Sequence, residues 1–423
     1  MNSSESTNEA DRHGFFQLCT PADFTALLRQ FPRISTCDVP LEQACGRVLA
    51  ADFLSAEDLP LTDRSCMDGY AVRAADTFGA SQSSPTWLDC VARLAVDSRP
   101  DMTLGPGACA AIATGGSLPS GADAVVMIEH TLTPGPGVVE ITRPVAPGEN
   151  VMLRGEDAAR GQTLLRAGRR LRVQDVGLLA ALGAPRIEVF QQPRVGIVST
   201  GDELVPVEET PRPGQVRDVN ALTLACLARE AGALPRAYGI VRDEATLLTE
   251  ALRRAVEEND VVLISGGSSI GTRDLTIEAL GRLPETGVLA HGVAISPGKP
   301  TILARAGATP VLGLPGQIAS AQVVMLVFGL PLLRWLEGES DAFETRQRPL
   351  RRAVLGVNAV AAPGRWQYLR VSLEERPGQL PLAWPQTGKS GLLRTLVLSD
   401  GLLCIDAGRE GLRAGTEVDI WIR

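Results

Sequence analysis

Lysine is nearly missing from this chain of 423 residues: it occurs only at Lys299 and Lys389, within a total of 41 basic residues. Arginine carries the rest, and a composition bias explains that without any function. A lysine kept in a loop against that bias is still a position to watch. Histidine is as scarce, at His13, His130 and His291. No Gly-x-Ser-x-Gly elbow is present, so triad and metal–histidine chemistry have little to work with. The eight cysteines (Cys19, Cys37, Cys45, Cys66, Cys90, Cys109, Cys226 and Cys404) form no CxxC pair, which argues against a zinc site. The net charge of -8 gives no basic face for nonspecific nucleic-acid binding. It leaves room for an anionic ligand, because a local site can oppose the global charge. No signal peptide opens the chain, and its longest apolar stretch, Ala319 to Leu336, contains Ser320, Gln322, Pro331 and Arg334. That stretch reads as a buried helix rather than a membrane span. The expectation is a soluble cytoplasmic protein with reduced thiols, binding neither membrane nor nucleic acid.

What is present has an order. Residues 1–15 are polar and aperiodic, and disorder is predicted there. Thr20-Pro21-Ala22-Asp23 reads as a helix start, with Phe24, Leu27 and Leu28 on one face. Residues 55–150 are rich in Gly, Pro, Ser and Thr with short β-like runs such as Ala124 to Ile128. A helix is predicted over Val173 to Leu182, closed by Gly183. Between Arg194 and Leu336, strands (195–198, 261–264, 311–314) alternate with helices (220–230, 244–257, 275–283 and the long apolar one). This alternation predicts a parallel sheet with helices on both faces. Residues from Arg346 onward return to strand-like alternation, with turns at Pro363-Gly364 and Pro377-Gly378, and predict a small β domain such as a barrel.

In a doubly wound sheet, ligands bind beyond the carboxyl ends of the strands. Three loops have that position: Ser199 to Glu203, Ser265 to Asp274, and Leu314 to Ile318. Ser199, Thr200 and Gly201, and Ser265, Gly266, Gly267, Ser268 and Ser269, offer hydroxyls and unobstructed backbone N–H groups to a phosphate. Glycine-rich turns also occur merely to reverse the chain. Asp202, Glu203, Asp218, Asp243 and Asp274 lie beside these loops. Acids beside an anion are unfavourable unless a cation such as Mg²⁺ intervenes, held by one or two carboxylates and phosphate oxygens. Singly, each could equally cap a helix or face solvent. The turn Ser296-Pro297-Gly298-Lys299-Pro300 carries a lysine able to neutralise an oxyanion. Trp384 to Ser390 brushes a phosphate-loop pattern, but Ala383 stands where its first glycine belongs.

Several segments, in order, resemble the molybdopterin molybdenumtransferase family (the MoeA family, whose eukaryotic counterpart is part of gephyrin). They are Leu41 to Ala50, Cys66-Met67-Asp68-Gly69-Tyr70-Ala71-Val72, Thr114-Gly115-Gly116 with Pro119 to Val126, and Arg154-Gly155-Glu156-Asp157. Ser199 to Leu204, Asp218-Val219-Asn220, Ser265 to Ser268 and Pro297 to Pro300 follow. The match runs from about Thr20 to the C-terminus. The resemblance implies a multidomain α/β chain. A disordered N-terminus would cover 1–15 and a linker domain 16–54 with 148–183. A β-rich domain (55–147) would be inserted between those two segments. A three-layer molybdopterin-binding α/β domain (184–338) and a small C-terminal β-barrel (345–423) would follow. It implies a homodimer acting on adenylylated molybdopterin and molybdate, giving molybdenum cofactor and AMP with Mg²⁺ assisting. A molybdopterin adenylyltransferase would stand upstream, and molybdoenzymes or their chaperones downstream. Carried over by motif, Asp68, Thr114, Asp157, Glu203, Asp243, Asp274, Lys299 and Pro315 are the candidates. Asp243 and Asp274 would hold Mg²⁺ or the pterin, Glu203 would shape the reacting centre, and Asp68 would close it across the dimer.

The sequence also departs from the family pattern. Gly292 and Ser296 stand where basic residues are usual before the Pro-Gly-Lys-Pro turn. Leu314-Pro315-Gly316-Gln317-Ile318 replaces Leu-Pro-Gly-Asn-Pro, and Leu275 replaces an aromatic. Each lost anion contact removes roughly a few kcal/mol of binding, so these changes bear on molybdate more than on the pterin. The competing reading is a paralogue that binds the cofactor, catalyses weakly and carries it to a molybdoenzyme. The retained carboxylates oppose it. Adenylyltransferase chemistry, which uses a similar sheet domain, is opposed by the full motif set.

Overall fold

The computed structural model describes residues 18–97, 99–266, 270–344, 349–386 and 388–422, without the side chains of 270–274. The segment 1–15, Gly267, Ser268, Ser269 and the side chain of Asp274 therefore lie outside the described residues.

The first helix, Pro21–Leu28, forms for the reasons its sequence gives. The Thr20 hydroxyl accepts the Asp23 N–H at 3.1 Å, the Asp23 carboxylate accepts the Thr20 N–H at 3.3 Å, and Pro21 occupies the first helical position. Its buried residues Phe24 and Leu28 do not join the linker segment that follows. Phe24 packs on Phe328 with ring centroids 4.6 Å apart, inside the core of the α/β layer. The apolar face of this helix thus moves the start of the linker unit beyond Phe31, later than residue 16.

Two separated stretches build that unit. Thr36–Pro40 pairs antiparallel with Arg186–Phe190, and Phe53–Leu54 with Thr163–Leu165. Val39, Leu49, Leu171, Leu179 and Val189 form its core. Arg186–Phe190 belongs here through its pairing, so the α/β unit begins nearer Arg194 than residue 184. The helix Val173–Ala181 ends as the sequence predicts, with Gly183 at φ +69°. Between the two stretches lies a six-stranded sheet, ordered Ala124–Met127, Gly69–Val72, Ala108–Ile112, Thr86–Arg93, Val138–Ile141, Thr131–Gly135.

The α/β unit has six strands: β1 (Arg194–Thr200), β2 (Leu234–Val241), β3 (Val261–Gly266), β4 (Thr286–His291), β5 (Ile302–Ala306) and β6 (Thr309–Leu314). Their order is β2-β1-β3-β6-β5-β4. β2, β1, β3 and β6 run parallel, whereas β5 is antiparallel to both β6 and β4. The departure from a wholly parallel sheet has a local cause. Only Gly307 (φ +59°) and Ala308 separate β5 from β6, and two residues can reverse a chain but not cross it over. Val195, Ile197, Leu263 and Leu312 face one core with Leu224, Leu227 and the long apolar helix. Val198, Val262, Ile264 and Val311 face the other with Leu248 and Leu252. Alternation along each strand thus builds three layers. The long helix, Ile318–Leu336, is 78% buried in its most apolar window and is a core helix. It takes a π-helical turn over Met325–Gly329, just before Pro331, which has no N–H to close an ordinary turn.

The C-terminal strands Trp366–Glu374, Leu382–Pro385, Leu350–Leu355, Glu417–Ile422 and Gly401–Ile405 close on one another as a five-stranded barrel. Ile295–Ser296 pairs alongside Trp366 and Gln367, which ties the barrel to the α/β unit.

One buried cluster locks the linker unit to the end of the long helix. Arg170 donates to Glu337 at 2.8 Å, to Glu339 at 2.9 Å and to the Gly46 carbonyl at 2.7 Å. Glu337 is 1% exposed. Burial opposes the charge on Arg170, yet its two carboxylate partners raise its pKa. Burial also raises that of Glu337, which Arg170 offsets only in part. Removing the cation strands an acid in the interior. Arg170→Ala is therefore expected to cost about 3 kcal/mol of stability, read as a lowered thermal unfolding midpoint. Glu337→Gln should cost clearly less, and equal losses would show that the ion pair is not what holds this joint.

Candidate functional site

The ends of β1 and β3 meet side by side, Ser199 opposite Ser265 and Thr200 opposite Gly266. Gly266 has φ +150°, and a Cβ there would lie 2.0 Å from the Thr200 carbonyl oxygen. Only glycine lets these strand ends approach so closely. Ser199, Thr200 and Ser265 are each 2% exposed or less. β1 and β3 flank the point where the strand order reverses, which is where a crevice opens in such sheets.

Carboxylates approach this crevice from the neighbouring loop. The Thr200 hydroxyl donates to Asp243 Oδ1 at 2.8 Å, and the Asp243 N–H donates to Asp202 Oδ1 at 3.3 Å. Gly201 continues the turn, and a Cβ on it would meet the Glu203 carboxylate at 2.6 Å. The structure thus gathers Thr200, Gly201, Asp202, Glu203 and Asp243 at one edge. Asp218 does not join them: it accepts the Ala221 N–H at 3.1 Å and supports the start of the helix Asn220–Glu230. Pro315, Pro300, Gly266 and Thr276 converge on a narrow cleft beside β3 and β6. Lys299 lies half-buried just before Pro300, and its carbonyl accepts the Val293 N–H at 3.0 Å. Asp274 is carried by the helix Ile270–Gly281 that follows β3. Among the described residues no cluster of three acidic, cysteine or histidine side chains could hold a metal unaided. Mg²⁺ needs less than that, namely one or two carboxylates plus ligand phosphate oxygens, so Asp243 and its loop fit it.

A second group forms on the inserted sheet. Asp68 Oδ1 accepts both the Thr114 N–H at 2.7 Å and the Thr114 hydroxyl at 2.8 Å. These two bonds, the backbone one first, hold the Asp68 carboxyl below its usual range. Asp157 stands exposed on an adjoining loop, its N–H bonded to the Leu59 carbonyl at 3.0 Å. No hydrogen bond or ion pair among the described residues joins this group to the crevice at β1 and β3.

The structure adds Tyr368, Arg370 and Gln386, which sequence reasoning did not single out, and gives partners to Asn220 and Ser296, which it placed only in motifs. Asn220 connects two of the crevice loops. Ser296, Tyr368, Arg370, Gln386 and Ser390 line a cavity of about 390 Å³ between the Ser296–Pro300 turn and the barrel. Arg370 is 8% exposed and, among the described residues, donates only to neutral oxygens, Thr395 Oγ1 at 2.8 Å and the Gly388 carbonyl at 3.2 Å. Burial without a carboxylate lowers its pKa. A buried cation lacking a counter-ion is a seat for an anion. The available signal was an arginine at a core-facing position of an alternating strand.

The family described as "MoeA N-terminal region (domain I and II)" matches residues 20–183. "Probable molybdopterin binding domain" matches 196–335, and "MoeA C-terminal region (domain IV)" matches 352–422. The chain is 35% identical over 387 residues to a protein of Mycobacterium tuberculosis named molybdopterin molybdenumtransferase 2, covering 90% of this chain and 94% of the relative. It is 39% identical over 311 residues to the molybdopterin molybdenumtransferase of a Nostoc species, covering 72% of this chain and 70% of that one. The crystal structure of a molybdopterin biosynthesis MoeA protein from Pyrococcus horikoshii superposes with a TM-score of 0.81 at 30% identity, covering 96% of this chain and 100% of that one.

The Asp68–Thr114 pair can be probed without any ligand. Thr114→Val removes the hydroxyl donor and keeps the N–H. The Asp68 carboxyl should then titrate at higher pH than in the wild type while staying below the ordinary aspartate range. Because the folded pKa is depressed, the ionic contribution is full above the unfolded value and is lost as pH falls through the folded one. Carboxyl ¹³C chemical shifts against pH would show this, and an unchanged midpoint would refute the assigned cause.

Proposed function

Since the chain belongs to the molybdopterin molybdenumtransferase family, we propose that it inserts molybdate into adenylylated molybdopterin and releases AMP. It is a transferase of molybdenum cofactor biosynthesis. The carrying observation is the crevice at β1 and β3. Buried hydroxyls, a glycine that admits no side chain, and Asp243 braced by Thr200 stand together there. Hydroxyl and backbone donors suit a phosphate. An acid held beside them suits a cation that bridges acid and phosphate. Mg²⁺ in that position, held by Asp243 and Asp274, would neutralise charge developing on the departing adenylyl phosphate.

Thr200 keeps Asp243 aimed at the crevice, Glu203 borders the reacting centre, and Lys299 and Pro315 frame its floor. Molybdate, a small dianion, fits the cavity that exposes it to Arg370, Ser390 and Ser296. The chain works as a homodimer in which Asp68, Thr114 and Asp157 of one subunit close the crevice of the other. Adenylylated pterin arrives from an adenylyltransferase, and finished cofactor leaves to molybdoenzymes or their chaperones. One observation favours the carrier reading as an alternative. The turn beside Arg370 presents Ser296, a neutral hydroxyl, so a single cation faces the anion.

Molybdate-dependent AMP release from adenylylated molybdopterin with Mg²⁺ tests the reading. Asp243→Asn should lower the rate about tenfold to a hundredfold, the loss expected for a charged contact. Arg370→Ala should raise KM for molybdate by a similar factor, and Ser296→Lys should lower it. Binding of the adenylylated pterin without AMP release, unrescued by Ser296→Lys, would hand the function to the carrier reading.

A further inference from the structure

Asn220 begins the helix Asn220–Glu230, is 6% exposed, and carries no assigned role. Its Nδ2 donates to Ser265 Oγ at 2.7 Å, at the end of β3, and to the Gly316 carbonyl at 2.8 Å, in the loop after β6. A carbonyl only accepts, so the Gly316 contact fixes which way the amide points. Both hydrogens of the amide are thereby spent on two different crevice loops. The third loop lies alongside, because Ser199 of β1 pairs with Ser265.

The acceptor edge is treated differently. Among the described residues, Asn220 Oδ1 is buried without a hydrogen-bond partner, and so is the Ser199 hydroxyl. The large majority of buried side-chain polar atoms are hydrogen-bonded, so an unmet acceptor at the ends of these strands calls for an explanation. Here the donor edge is committed to the protein, and an acceptor and a hydroxyl remain at the same strand ends.

We propose that Asn220 is a positioning residue for the adenylylated pterin. It holds the Pro315-Gly316 loop against Ser265, so that the donors of both loops converge on one ligand. This rests on the reading of the crevice as the pterin site. Ser265, whose oxygen accepts from Asn220, keeps its own hydrogen to donate outward. Without the Asn220 clamp, Pro315-Gly316 and Ser265 keep their chemistry but lose their common aim. The loss falls on the pterin and not on molybdate, whose Arg370 cavity is lined by neither loop.

The test uses the full chain with Asn220→Asp, which keeps the shape but sets a carboxylate oxygen against the Gly316 carbonyl, and with Asn220→Ser, which keeps one donor. Calorimetric titration with adenylylated molybdopterin should show Kd raised about tenfold in Asn220→Asp and less in Asn220→Ser. KM for molybdate and kcat at saturating pterin should stay near wild type. Ser265→Ala and Asn220→Asp combined should cost less than the sum of the two. An unchanged pterin Kd in Asn220→Asp overturns the proposal. So does a parallel fall in kcat, molybdate use and melting temperature, the mark of a merely structural residue. A wild type that binds the pterin but releases no AMP sinks the insertase reading while the Kd comparison still decides Asn220. A wild type that does not bind the adenylylated pterin overturns both.

Discussion

The close contact of β1 with β3 at Gly266 is the constraint on which the rest of the site depends. Thr200 can present its hydroxyl to Asp243 only because its own carbonyl faces a residue with no Cβ. A side chain there would push the two strand ends apart. The same contact sets Ser199 beside Ser265, where Asn220 reaches both Ser265 and the loop after β6. Three loops far apart in sequence share one geometry because one backbone position is bare. The apolar alternation of β1, β3 and β6, packed on both faces, makes that geometry rigid.

Around this centre the protein buries charged groups at a joint and beside the candidate site. Arg170 with Glu337 and Glu339 fastens the linker unit to the long helix. Arg370 lies buried, with no carboxylate partner among the described residues, where the barrel meets the Ser296–Pro300 turn. The chain is acidic overall, yet its buried, acid-free arginine creates a local field of the opposite sign, as an anionic substrate requires. The Asp68–Thr114 group works in reverse. Two donors from Thr114 stabilise an exposed carboxylate and keep it charged.

Much of this was legible in the residues. The capped helix at Thr20, the helix ending at Gly183, the alternating strands of the α/β unit and the turn glycines of the barrel announce themselves through local chemistry. The position of the crevice loops at the ends of parallel strands was legible too, since each follows an apolar strand directly. Local pattern misplaced what depends on remote partners. The first helix packs on Phe328 rather than on its sequence neighbours, and Arg186–Phe190 pairs with Thr36–Pro40 across the whole inserted sheet. β5 runs antiparallel because a two-residue turn follows it, a short-range signal that the prevailing alternation masked.

The sequence by itself determined the elements and which loops follow the parallel strands, because capping, alternation and glycine conformation act over a few residues. Only the tertiary structure decided which of the acids near those loops is a helix support, as Asp218 is, and which is braced toward the crevice, as Asp243 is. Only it revealed Asn220 and Arg370. Their significance comes from burial and from partners 45 to 96 residues away for Asn220, or from a missing carboxylate for Arg370. Neither property is written in neighbouring residues. Burial and long-range pairing come from the packing of the whole chain, and local sequence carries no measure of them.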